Sequence, residues 1–289
     1  MRPDKRKLTK MKRLMLCLLL IAAEPLFADD KSDEEALKSD VAAMAKQTAK
    51  ECEFTVGELK PTKLSQYAEP ILRWSNPTAG RVFGEIYVWT DNGRPAVVGS
   101  FYRWYANGWG DTIEVCSLAN APIVGHREKS EFWKPAASAI RFQTIKETDA
   151  PAPTPAARLV QMRRLANGFV TQLVDTRGDA IGTKRELRLL NQPVFRYPAP
   201  KGDATYLDGA LFAFVEGTDP EVLLLIEAVS DNVTSATPTW RFGLARMNRD
   251  ALRVTFRDKE VWSVPYLDNP FNLPREPYSL FSLKPVERP

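Results

Sequence analysis

The sequence predicts an α+β protein of two tandem repeats, each an N-terminal helix followed by an antiparallel β-meander, packed with pseudo-twofold symmetry. Three observations lead there. Residues 70–104 and 193–229 resemble one another: Pro70 matches Pro193, Arg73 matches Arg196, Pro77 matches Pro200, and after a two-residue insertion Gly84 matches Gly209, Pro95 matches Pro220 and Val97 matches Val222. Aromatic residues recur in step, Trp74 with Tyr197, Tyr87 with Phe212 and Trp89 with Phe214. Each copy also holds apolar runs separated by turn formers, the pattern of adjacent antiparallel strands, and follows a segment with helical apolar spacing. Two such units would bury the apolar faces they share. The division is a leader over 1–28, a first repeat over 29–145, a Pro-rich linker over 146–154, a second repeat over 155–265 and an extended Pro-rich tail over 266–289.

The leader reads as a secretory signal. It has a basic start, an apolar stretch over 14–23 and a small residue, Ala28, before Asp29. An apolar stretch that short does not span a bilayer as a helix. The bulky residue before Cys17 argues against a lipoprotein cleavage site. Of the 40 Lys and Arg the leader holds seven, and of the 36 Asp and Glu it holds two, leaving 33 basic against 34 acidic residues. The basic character therefore belongs to the leader, and the rest of the chain gives no reason to expect nucleic acid as a partner. After cleavage no transmembrane anchor is expected.

Ser32-Asp33-Glu34-Glu35 has the form of a capping box, and Leu37, Val41, Met44, Thr48 and Cys52 follow at helical spacing, so a first helix is predicted over 33–52. Glu69-Pro70 splits two short extended pieces, because proline disfavours helix at the residue before it. A hairpin over 85–104 turns at Asp91-Asn92-Gly93, and its counterpart over 210–229 turns at Glu216-Gly217-Thr218-Asp219. Residues 222–226 are apolar on both faces, as in a central strand covered on each side, whereas 97–101 are less so. Strands over 112–118 and 241–247 follow, then hairpins around 122–133 and 252–264. Thr154-Pro155 starts a second helix as N-cap and first helical residue, with Leu159, Met162, Leu165, Ala166 and Phe169 on its apolar stripe. The tail over 266–289 reads as an extended strap along the surface.

Chemistry is sparse. The single histidine, His126, sits in a charged loop with no nucleophile placed beside it, and no Cys/His cluster has metal-ligand spacing. No glycine-rich phosphate loop appears, so neither a metal nor a cofactor is expected. Arg73 and Arg196 are each the sole charge in an apolar run. Each either packs its stem on the sheet and pairs with a carboxylate such as Glu131 or Glu260, or offers a guanidinium fork to an anionic ligand. Tyr102, Arg103, Trp104, Tyr105, Asn107 and Trp109 form an aromatic cluster with no equivalent in the second copy. It suits stacking on a sugar or a partner's groove, although strand alternation places some of these rings in a core. Cys52 and Cys116 form a disulfide in an oxidising compartment or remain two buried thiols. Asn232-Val233-Thr234 is a glycosylation sequon.

Arg73-Trp74-Ser75-Asn76-Pro77, Val88-Trp89-Thr90, Gly93-Arg94-Pro95, Gln161-Met162-Arg163 and Leu187-Arg188-Leu189-Leu190 resemble a family of secreted bacterial proteins with no assigned activity. The likeness covers most of the chain after the leader, implies export and supplies no reaction. In that family a strand carrying His-Glu-x-His-Ser-Leu stands where this chain has Ile113-Glu114-Val115-Cys116-Ser117-Leu118. Both histidine positions differ, so a metal or acid-base role does not carry over.

The expectation is thus an exported, periplasmic or extracellular, non-catalytic protein that binds a small anionic or carbohydrate ligand, or an envelope protein. Two alternatives stand beside it, a secreted hydrolase using carboxylates on carbohydrate or ester substrates, and a structural component of an envelope complex.

Overall fold

The computed structural model describes residues 28–105, 110–136, 138, 140–176, 181–199, 205–230 and 237–285. The leader over 1–27, Asn107, Trp109 and the sequon at 232–234 lie outside the described residues. The chain divides into two units, 1–40 and 41–289. In the first, the described part is the start of a helix in which Lys38 bonds Glu34 at 2.7 Å and Glu35 at 3.0 Å.

Helix α1 (Ala28–Glu51) runs into β1 (Cys52–Val56), followed by β2 (Thr62–Lys63), β3 (Ser65–Gln66) and β4 (Leu72–Ser75). The long hairpin β5 (Val82–Asp91) and β6 (Arg94–Trp104) comes next, then β7 (Gly110–Ser117), β8 (Ile123–Arg127), β9 (Ser130–Trp133) and β10 (Gln143–Thr144). After helix α2 (Pro155–Ala166) come β11 (Phe169–Val174), β12 (Lys184–Leu189), β13 (Phe195–Pro198) and a second long hairpin, β14 (Tyr206–Glu216) and β15 (Asp219–Val229). The chain ends with β16 (Thr239–Arg246), β17 (Ala251–Phe256), β18 (Lys259–Val264) and β19 (Tyr278–Pro285).

The strands form three antiparallel sheets, which corrects the α+β expectation. The protein is mostly β, with 51% of residues in strands, 14% helical and only two helices among the described residues. It is not a pair of α+β repeats that each start with a helix. One sheet has four strands (β2-β1-β8-β9), one has six (β19-β7-β6-β5-β3, with β4 also on β5), and one has nine (β10-β16-β15-β14-β12-β11-β17-β18, with β13 also on β14). The sequence reading failed because stretches taken as connections carry strands of their own. The tail is no mere strap, since β19 completes the six-stranded sheet against β7. Helix α1 starts earlier than predicted, so Ser32 lies inside it rather than at its cap.

The core has three parts. The six- and nine-stranded sheets enclose an inner cluster that includes Trp74, Val98, Cys116, Tyr197, Leu211, Leu223 and Leu225. On the outer face of the six-stranded sheet, Ala45 and Ala49 of α1 and Phe54, Ile123 and Trp133 of the small sheet cover Tyr87, Trp89, Val97 and Phe101. On the outer face of the nine-stranded sheet, Met162, Leu165 and Ala166 of α2, with Leu252 and Val254, cover Phe212, Phe214, Val222, Leu224 and Ile226. Strand β15 is therefore covered on both faces, as its run of apolar residues requires. Strand β6 is covered too, and its inward Ser100 accepts a hydrogen bond from Trp74 Nε1 at 3.0 Å.

Local sequence explains the hairpins. Asp91 pairs with Arg94 across a two-residue turn whose Asn92 and Gly93 have φ of 48° and 90°, the left-handed values that asparagine and glycine accept most readily. Glu216 and Asp219 pair likewise across Gly217-Thr218. The matched aromatics have a shared role: Trp74 lies opposite Gly84 and Tyr197 opposite Gly209. A Cβ at Gly84 would stand 2.5 Å from the Trp74 ring, and one at Gly209 2.4 Å from the Tyr197 ring. Each glycine thus leaves the space its cross-strand ring fills. Thr154 caps α2 by accepting from Ala157 N at 3.3 Å, with Pro155 in the first turn.

Candidate ligand-binding site

Side chains alternate along a strand, so the odd-numbered residues of β15 share one face. Leu223, Leu225 and Val229 of that face belong to the inner core. The same face carries Asp219 and Glu221 at the start of the strand and Glu227 near its end. An acid between two sheets must be answered, since an unpaired buried charge is costly. The two ends of β15 do this with different chemistry.

At the Glu227 end the partners are cations. Glu227 is fully buried. Arg94 Nε, from the start of β6 in the opposite sheet, donates to its Oε1 at 2.8 Å. Tyr197 donates its hydroxyl to the same oxygen at 3.0 Å. Arg241 lies directly opposite Glu227 on β16 and donates to Oε2 through Nε at 2.8 Å and Nη2 at 2.7 Å. The Phe142 ring contacts both guanidiniums, with Arg94 Cζ 5.1 Å and Arg241 Cζ 4.4 Å from its centroid. Burial is the largest influence on the pKa of Arg94 and lowers it, but Glu227 together with Tyr197 and Tyr206 outweighs it and the net direction is up.

These arginines form one wall of a pocket of about 380 Å³, lined also by Asp91, Asn120, Tyr206 and Ser230. Their side chains are 18% and 30% exposed, enough to reach the pocket while their heads grip Glu227. The donors are not exhausted. Arg94 Nη1 reaches Leu118 O at 3.3 Å, but Arg94 Nη2 is buried without an acceptor. Arg241 Nη1 makes no hydrogen bond to a described residue. Two guanidiniums thus share one buried carboxylate at the pocket wall, and Asp91 lines the same pocket.

At the other end the partners are neutral. Glu114 of β7 is buried and accepts from the Tyr278 hydroxyl at 2.7 Å. Glu221 accepts from the Asn248 side-chain amide, and Asn76 Nδ2 lies 3.5 Å from Asp219 Oδ2. The nearby Arg246 directs its donors to carbonyl oxygens of Asn248 at 2.8 Å, Asp250 at 2.6 Å and Pro265 at 3.0 Å. Burial pushes the pKa of Glu114 up to about 8, with the Tyr278 hydrogen bond opposing only in part. Burial and the neighbouring Glu114 raise Asp219 well above the usual range, and burial with Asp219 does the same to Glu221. Among the described residues no guanidinium forms an ion pair with Glu114, Asp219 or Glu221, and burial drives all three toward their neutral forms.

The residues singled out in the sequence are dispersed. Arg73 pairs with Glu85 at 2.7 Å, and Arg196 with Asp208 at 2.8 Å, so neither partner is Glu131 or Glu260. Asp208 also holds Arg158 at 2.9 Å, tying β13 and β14 to α2. Tyr102 and Trp104 pack against the inner core, whereas Arg103 points to the opposite face, where both its bonds to the buried Asp111 are made, at 2.5 and 2.9 Å. Tyr105 faces the Phe83 ring at 6.1 Å. Strand alternation thus splits this aromatic run between two faces. Cys52 and Cys116 are both buried and free, Cys52 in the outer cluster and Cys116 in the inner one. Burial raises the pKa of Cys52 to about 12 and pushes Cys116 up as well, so both thiols stay protonated.

Beside Arg196 a larger cleft of about 690 Å³ runs between the sheet edges, lined by Tyr67, Pro70, Ile71, Pro193 and Phe195. Its arginine is already engaged by Asp208 and by Pro155 O at 2.5 Å. The pocket over Glu227 differs in keeping guanidinium donors unanswered. Sequence reasoning missed Arg94, Glu227 and Arg241. The available signal was a glutamate placed, by strand alternation, on the same face as Leu223 and Leu225. Compared with protein families, with curated proteins and with solved structures, the chain finds no match.

Proposed function

We propose that the protein is an exported, non-catalytic binding protein whose small-molecule ligand occupies the pocket over Glu227. The observation that carries this reading is the pair of arginines, fixed at strand ends, that line the pocket while sharing one buried carboxylate. Guanidiniums orient and hold a ligand but do not exchange protons near neutral pH, which suits binding rather than turnover. The acids with raised pKa values do not favour a carboxylate hydrolase, because Glu114 and Glu221 are buried away from any substrate. The export part of the proposal rests on the leader's basic start and apolar stretch.

A thermal-shift screen of the full chain against envelope glycans and small organic acids tests this reading. A ligand at 100 times its Kd adds about 2.7 kcal/mol of stability, worth roughly 5–10 °C in a unit of this size. Ala121 lines the same pocket and is exposed, so Ala121→Trp obstructs the pocket at little cost to the fold. The shift should disappear in that variant. A ligand that binds Ala121→Trp as tightly as the parent chain places the site elsewhere, and product formation from the bound ligand overturns the non-catalytic reading.

A further inference from the structure

We propose that the pocket beside Glu227 recognises the carboxylate of a small organic monoanion, which docks on Nη1 of the Arg241 guanidinium. This inference rests on the pocket reading above and adds the chemical class of the ligand.

Charge arithmetic argues for a monoanion. Arg94 and Arg241 share the single Glu227, and with Asp91 on the pocket wall the four charges balance, so a second negative charge on the ligand would go unanswered. Asp91, which pairs with Arg94 across the hairpin turn, lines the same pocket and opposes a second negative charge on the ligand. A phosphate dianion would also meet Glu227 behind the guanidiniums at short range.

Hydrogen bonding argues for an oxyanion rather than a neutral group. A guanidinium holds five donors in a fixed plane. Arg241 uses Nε and Nη2 on Glu227, so its Nη1 is the group that a ligand meets first. Arg94 Nη2 is covered, and leaving a buried donor unmade costs about 1–3 kcal/mol. An oxyanion on Arg241 Nη1 makes a hydrogen bond between two charged groups, which is the strong class. A buried Arg–Glu–Arg arrangement is by itself poor evidence of a stabilising role. The second arginine is explained by what it presents to the pocket.

The experiment titrates the full chain with formate, acetate and benzoate and with the matched formamide, acetamide and benzamide, at constant ionic strength, following chemical shifts or melting temperature. At least one acid should bind saturably and at least tenfold more tightly than its amide, and Ala121→Trp should abolish that binding. Asp91→Asn removes the opposing charge without touching the Glu227 cluster, and should tighten binding of the acid two- to fivefold. Acids and amides that bind equally, with both lost in Ala121→Trp, overturn carboxylate recognition while leaving the pocket as the ligand site. Inorganic phosphate binding more tightly than every carboxylate overturns the monoanion assignment. Absence of saturable binding by any of the three acids overturns the inference, and the separate screen then decides whether the pocket takes another ligand.

Discussion

The two ends of β15 bury acids at the same interface by opposite means. At Glu227 the opposing strand and the neighbouring strand each supply an arginine, and those two arginines line a pocket. Asp219 and Glu221 meet Asn76 and Asn248, the neighbouring Glu114 of β7 meets Tyr278, and the acids are driven toward their neutral forms. A carboxylate in a protein interior is thus no indicator of function by its identity. What it does depends on whether cations or neutral donors reach it, and on whether solvent reaches those cations.

Substitutions that break this contrast should differ in size. The largest effect is expected for Glu227→Ala, which leaves two guanidiniums facing each other in the interface. Breaking a buried pair from one side costs about 3–5 kcal/mol, so chemical denaturation should show the greatest loss in this variant. Leu225→Ala, between the two acidic ends, leaves a cavity in the inner core and should cost about 2–5 kcal/mol; it tests whether the apolar middle of the strand rather than its ends carries the stability. Gly209→Ala forces a methyl group against the Tyr197 ring beside Glu227 and should cost about 1–3 kcal/mol. The smallest effect belongs to Arg73→Ala, whose side chain is 71% exposed and whose buried partner Glu85 still accepts from the Tyr87 hydroxyl at 2.9 Å; its melting temperature should stay within a few degrees of the parent. Arg196→Ala should be more damaging, because Arg196 is 31% exposed and shares Asp208 with Arg158. Equal losses in the two arginine variants would show that the shared Asp208 contributes nothing.

Much of the local structure was legible in the sequence. The turns at Asn92-Gly93 and Gly217-Thr218 and the Thr154-Pro155 helix start are chemical necessities written into a few adjacent residues. The matched glycines and aromatics were visible as a recurrence, and the structure supplies their reason, a ring laid over a bare backbone. The fold class was not legible, because strands as short as β2, β3 and β10 have too few residues to show a period. Nor was the site. Arg94 and Glu227 are 133 residues apart, and Phe142 joins them from a third segment. Only the packing of one sheet on the other brings them together. The aromatic run from Tyr102 to Tyr105 was conspicuous in sequence for a reason that packing explains, since alternate side chains there serve two different faces.

The most direct test of the contrast between the two ends is stability against pH for the parent chain, Glu114→Gln and Glu227→Gln, measured by chemical denaturation from pH 5 to pH 8.5. Glu114 has a folded pKa raised to about 8, above its value of roughly 4.3 in an unfolded chain. The folded state therefore binds the extra proton, and the parent loses stability as pH rises through that window. Glu114→Gln, neutral at every pH, should flatten that decline and exceed the parent in stability at pH 8.5. Glu227→Gln should be less stable than the parent at both extremes, because it removes the carboxylate that two guanidiniums share. If the two variants instead change stability with the same sign and the same pH dependence, the distinction between a protonated end and a cation-held end is wrong.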